Sequence, residues 1–156
     1  MATRRAARER ALGLAYESEL RGLSAAALLA ELPVEPDEYA RRIVLGADDH
    51  RDDIDALIRK YSEHWSLERM PVIDRALLRL GTYELAWVIE TPKGAVITEA
   101  VELAKQYSTK DSGRFVNGLL ARISAEVRPE EVRPEEVRPE EVRSDDVDGP
   151  EDIDAE

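Results

Sequence analysis

The sequence contains no cysteine, only two histidines, and few aromatics: two Trp, five Tyr and one Phe. Without cysteine there is no disulfide, no thiolate metal site and no cysteine nucleophile. His50 and His64 stand 14 apart, outside any metal-binding spacing. No apolar run approaches the roughly 18 residues of a membrane span. The basic N-terminus lacks the apolar core of a signal peptide, so a cytoplasmic protein is expected. Strictly alternating apolar runs are missing too, which argues against a sheet. A search for G-x-S-x-G, G-x-G-x-x-G and phosphate-binding glycine loops finds none, and the reading is non-enzymatic, with no cofactor.

What is present is charge, unevenly placed. The net charge is -12 over 156 residues. From Glu126 onward the chain holds 14 acids against 4 arginines, and residues 1–125 hold 20 acids against 18 bases. The body is near neutral and the tail carries the acidity. Within the first ten residues Arg4, Arg5, Arg8 and Arg10 face a single acid, Glu9. Arginine at a helix N-terminus opposes the macrodipole and typically costs about 0.3–1 kcal/mol. The block therefore reads either as a docking site for an anion, most simply nucleic-acid phosphate, or as a solvated, frayed end.

Helix formers and stop signals give about seven helices in residues 3–125. The first continues from the arginines through Leu12, Ala15, Tyr16 and Leu20 to a Gly22 stop. A short one runs from Ala25 to Leu32, capped by Ser24 and ended by Pro33. Pro36 is placed in the first turn of the next, whose apolar residues extend to Tyr61, unbroken or with a break between Gly46 and Asp53. Asp48, Asp49, Asp52 and Asp53 there form a cap or solvated face, with a metal site as the sharper alternative. Pro71 starts a helix to about Val88, with Asp74, Arg75 and Arg79 on its polar side. Ala95 to Tyr107 follows a Thr91–Gly94 loop, and Asp111 or Ser112 caps the last helix. That helix turns Phe115, Leu119 and Ile123 inward and carries Gly118, which costs about 1 kcal/mol against Ala and suggests close backbone approach. Tyr16, Tyr83 and Phe115 have core spacing; base stacking is their alternative. Trp65 and Trp87 are placed at the core edge. Residues 126–140 are three Glu-Val-Arg-Pro-Glu units, each with a proline, and the pattern degenerates at Glu141-Val-Arg-Ser-Asp145 in a tail that runs to 156. This is a separate, disordered acidic tail.

Three blocks resemble the NusB family of transcription antitermination factors: the arginine-rich start through Leu20, WSLERMPVIDRALLRLGTYEL at 65–85, and VITEAVELAKQYSTKDSGRFVNGLL at 96–120. The resemblance covers residues 3–125. It implies an all-α fold of two packed helical subdomains. It also implies binding of boxA RNA from ribosomal RNA leaders, pairing with small-subunit ribosomal protein S ten (NusE), and membership of an RNA polymerase antitermination complex. Family members occur as monomers and homodimers. Residue by residue, Arg4, Arg5 and Arg8, with Arg10, match the family's RNA-binding motif. Tyr16 and Asp74 match positions implicated in the same function. Asp111 matches a position that tunes RNA and partner behaviour, and Phe115 and Asn117 match a segment near the RNA. The rivals are a helical protein-interaction bundle and a stand-alone relative of the NusB-like domain of rRNA methyltransferases.

Overall fold

Thr3 and Gly22 bracket the first helix. The Thr3 hydroxyl accepts from the Ala6 amide, and Gly22 turns left-handed at φ 66°, its amide returning to the Glu19 and Ser18 carbonyls. Between them lies α1, Arg4–Arg21. The computed structural model describes residues 2–63 and 65–129. Within them follow α2 (Ala25–Glu31), α3 (Glu38–Asp49), α4 (Arg51–Tyr61), a 3-10 turn (Leu67–Arg69), α5 (Val72–Trp87), α6 (Lys93–Tyr107) and α7 (Ser112–Val127). The expected all-helical fold is therefore present, with seven α-helices and no strand among the described residues.

The helices form two packed groups. In one, α1 lies against α2 and α3; in the other, α4, α6 and α7 surround α5. Helix α5 also packs on α1 and α3 and so joins the two. This central position explains why its sequence reads as apolar on one side only but is buried on nearly every side: Ala76, Leu77, Leu78, Leu80, Tyr83 and Leu85 are joined in the interior by Asp74, Thr82 and Glu84. Leu14, Leu28, Ile43, Ile54, Ile58, Leu119, Leu120 and Ile123 complete the best-covered core. Each such side chain contributes roughly 1.5–3 kcal/mol relative to an exposed one.

Several sequence expectations shift. Of the two readings of the long apolar segment after Pro36, the broken one holds: it is two helices parted at His50, inside the expected Gly46–Asp53 interval, and the His50 ring stacks on Trp87 at 4.1 Å. Asp37, not a proline turn, caps α3 through its side chain on the Tyr39 amide. Helix α6 starts at Lys93, two residues before the expected Ala95. The buried stripe of α1 is Ala7, Arg8, Ala11, Leu12, Leu14 and Ser18, because α3 and α5 cover it from two sides; Tyr16 and Leu20 face outward. Gly118 is no point of close approach: a Cβ there meets only the Arg122 guanidinium, at 3.8 Å. The close approach is at Gly46, where a Cβ would lie 2.1 Å from the Tyr83 ring.

The expected boundary at residue 125 falls inside α7, and the folded body continues past it. Arg128 is buried, donating to the carbonyls of Leu85 (2.8 Å), Val88 (2.8 Å), Glu84 (3.1 Å) and Thr91 (2.5 Å) at the C-terminal end of α5. The first repeat unit is thus partly structural. The rest of the acidic tail, from Glu130, lies outside the described residues, as does His64. Among the described residues no helix is long and apolar enough to cross a membrane, and no cluster of His, Asp and Glu could hold a metal ion.

Candidate nucleic-acid interface

A helix repeats every 3.6 residues, so four arginines within seven positions cannot share one face. Arg4, Arg5 and Arg10 are exposed, whereas Arg8 is 6% exposed. Arg8 is where the structure departs from the sequence grouping. Its Nε and Nη2 each donate at 2.9 Å to the two carboxylate oxygens of Glu84 on α5, and its Nη1 donates to Glu99 on α6 at 2.6 Å. Burial alone would lower the Arg8 pKa. The hydrogen bonds and charge of Glu84, with Glu99, outweigh it and hold the group above its ordinary value. Arg8 is therefore a permanent internal cation, committed to Glu84 and Glu99.

The arginines left outside are held lightly. Arg4 lies over the Tyr39 ring at 3.9 Å, a cation–π contact that leaves its N–H groups open. Arg5 has a 64% exposed side chain and a loose 3.8 Å pair with Glu99. Arg10 makes no ion pair with any described residue. Beneath them Glu84 also accepts the Tyr39 hydroxyl at 2.5 Å. Burial, then this bond, pushes the Tyr39 phenol above its ordinary value, so it stays neutral and donating. The oxygens of the buried carboxylate are thereby satisfied by three donors.

A second region adjoins the first. Tyr107, at the end of α6, hydrogen bonds to Glu9 between Arg8 and Arg10, and the next residue, Ser108, donates to Asp74. Asp74 was assigned to the polar side of α5 but is 3% exposed. It accepts from Ser108 at 2.5 Å and Ser112 at 2.9 Å and so fixes the α6–α7 turn to the start of α5. Asp111 is the N-cap position of α7, yet its side chain makes no capping bond and is exposed. Next to it a cleft of about 410 Å³ is lined by Trp65, Pro71, Asp74, Thr109, Ser112 and Phe115. Phe115 is half-buried rather than a core residue, and Trp65 is 52% exposed, not sealed at the core edge; their ring centroids are 6.4 Å apart at 51°. Asn117 faces solvent among Lys105, Lys110 and Arg114. Tyr16, 38% exposed, is seven residues along α1 from Glu9 and lies on the same stripe of that helix.

The expected residues therefore divide into an exposed set (Arg4, Arg5, Arg10, Tyr16, Asp111 and Asn117, with Phe115 at the rim) and an internal pair, Arg8 and Asp74, that positions them. Sequence reading missed Trp65, Lys105, Lys110 and Arg114. The four-residue spacing of Lys110 and Arg114 was a usable signal; the exposure of Trp65 depends on tertiary packing and had none.

Comparison with known proteins places the fold in a family. The family model described as NusB family matches residues 5–125. A transcription antitermination protein NusB of Streptomyces avermitilis is 46% identical over 140 residues, 83% of this chain and 95% of that protein. One from Clavibacter sepedonicus is 46% identical over 134 residues, 80% of this chain and 98% of its own length. Among solved structures, T. maritima NusB superposes with a TM-score of 0.74 at 39% identity, covering 80% of this chain and 92% of that one. The antitermination factor NusB crystallised with NusE and double-stranded RNA superposes with a TM-score of 0.68 at 33% identity, covering 79% and 96%. Matched along nearly the whole of its folded body by the family model, and 46% identical to relatives over four-fifths of its length, the chain belongs to the NusB family.

Proposed function

We propose that this protein is a non-enzymatic antitermination factor that binds single-stranded boxA-type RNA of ribosomal RNA transcripts. In this reading it pairs with small-subunit ribosomal protein S ten (NusE) and acts within an RNA polymerase antitermination complex. The observation that carries it is the exposed turn of Arg4, Arg5 and Arg10, cations at a helix entrance with no strong intramolecular partner. Such groups position a phosphate backbone without reading sequence. Base identity needs unstacked bases, aromatic platforms and polar side chains. The Trp65–Phe115 cleft supplies the platforms, with Asp111 beside it, and Asn117 supplies both a donor and an acceptor. Support for the partner comes from the similar NusB structure that contains NusE and RNA.

The test is a titration of boxA RNA against the protein, with and without the ribosomal partner. Binding should tighten with the partner present. Three phosphate contacts on single-stranded RNA give a slope of log K on log salt of about -2. An affinity indifferent to salt, or unchanged by Arg4/Arg5/Arg10→Ala, would favour a surface for an acidic protein instead.

A further inference from the structure

The chain leaves its folded body beside its own arginine entrance. Arg128 donates to the Thr91 carbonyl; the Thr91 hydroxyl lies 3.2 Å from the Tyr39 hydroxyl; and Arg4 rests on the Tyr39 ring at 3.9 Å. Three contacts thus connect the last anchored residue to the first exposed arginine. Pro129 follows, and residues 130–156 hold 13 acids against 3 arginines. The charge is graded. Each Glu-Val-Arg-Pro-Glu unit nets one negative charge, but residues 145–156 contain seven acids and no base. Twenty-seven residues span at most roughly 90 Å, more than twice the width of about 35–40 Å expected for a body of this size. Every point on the cationic surface is within reach.

We infer that the segment Asp145–Glu156 docks on the exposed Arg4, Arg5 and Arg10 of its own chain, with the Lys105, Lys110 and Arg114 patch as its outer margin, and so occupies the surface that RNA would take. The occupant is chosen by charge complementarity and by the exit point. Arg4, Arg5 and Arg10 lack firm partners within the body, and the densest run of unopposed carboxylates belongs to the segment that leaves the body at Pro129, on the side of Arg4. A tethered partner acts at an effective concentration in the mM range, so weak individual pairs suffice to compete with RNA about 3–10-fold. The contact is screened as salt rises. Partner binding that strips the tail from this surface would then tighten RNA binding without touching RNA.

This inference rests on the RNA reading for its consequence but not for the contact, and the experiment separates them. The absence of cysteine allows a single spin label at Asp148→Cys in the full-length chain. Amide signals of residues 4–10 should broaden at low salt. They should recover at high salt and in the Arg4/Arg5/Arg10→Ala variant. In parallel, boxA RNA is titrated against wild type and against a full-length variant with the seven acids of 145–156 changed to their amides. The variant should bind about 3–10-fold tighter at low salt and equally at high salt. Broadening absent from residues 4–10, or spread evenly over the body, overturns the contact. Measurable but equal RNA affinities overturn the competition. If neither protein binds RNA while the broadening is local, the docking stands and the functional reading fails.

Discussion

Arg8 and its neighbours show how a residue type can hold two roles within one turn of helix. Removing Arg8 leaves the Glu84 carboxylate buried and short of two donors. Breaking one side of a buried pair costs about 3–5 kcal/mol, so Arg8→Ala should lower the urea midpoint sharply. Arg5→Ala should change stability by no more than about 0.5 kcal/mol and lower the salt slope of RNA binding by about 0.7. Equal losses of stability in both variants would refute the division. The sequence displayed the arginine block plainly, because a local composition needs no tertiary knowledge. Which arginine turns inward was not legible, since the answer lies in Glu84, 76 residues away. Asp74 is the same case: acidic residues are rarely buried without partners, and its partners Ser108 and Ser112 belong to a distant turn.

At the scale of the element, caps and breakers carried the reading. Ser24 and Gly22 start or stop helices through bonds made within a few residues, and these ends were found closely; Thr3 caps α1 in the same way but was not singled out. Helix phase was read less well. The single apolar stripe expected for α5 became burial on nearly every side because five helices contact it, and periodicity records only the strongest face. Glycine gave the clearest error. Gly118 looked like a packing device but has room for a Cβ beside Arg122, whereas Gly46, read only as a possible helix break, holds the Tyr83 ring against α3. Gly118→Ala should therefore raise stability by up to about 1 kcal/mol. Gly46→Ala should lower it by about 1–3 kcal/mol or more through overpacking. Thermal melts of the two variants moving in the same direction would contradict this packing.

At the scale of the molecule, the boundary between body and tail is set by Arg128 and not by the onset of the repeat. Truncation after Ala125 removes the last two residues of α7 and the guanidinium that gathers four carbonyls at and just beyond the end of α5. It also removes Glu126, which pairs with Lys60 on α4 at 2.8 Å. That protein should melt several degrees lower, while truncation after Pro129 should melt like the full chain at high salt, where charge contacts of the tail are screened. The repeat hid this from sequence reading: identical units suggest identical states, but the first unit is continuous with a helix and meets a surface made for it.

Glu84 ties these scales together, and it limits how this protein can change over generations. Its carboxylate is held by Arg8 from α1 and Tyr39 from α3, and its own backbone carbonyl receives Arg128 from the end of α7. A neutral or acidic residue in place of Arg8 leaves a bare charge in the interior, lysine keeps the charge but not the two-pronged bond, and a neutral residue at 84 strands the guanidinium in turn. A change at position 8 or 84 therefore calls for a compensating change at the other, with 39 following, whereas 4, 5 and 10 carry no such internal constraint. The same stretch of helix is open to substitution on its outer face and bound to the core on its inner one.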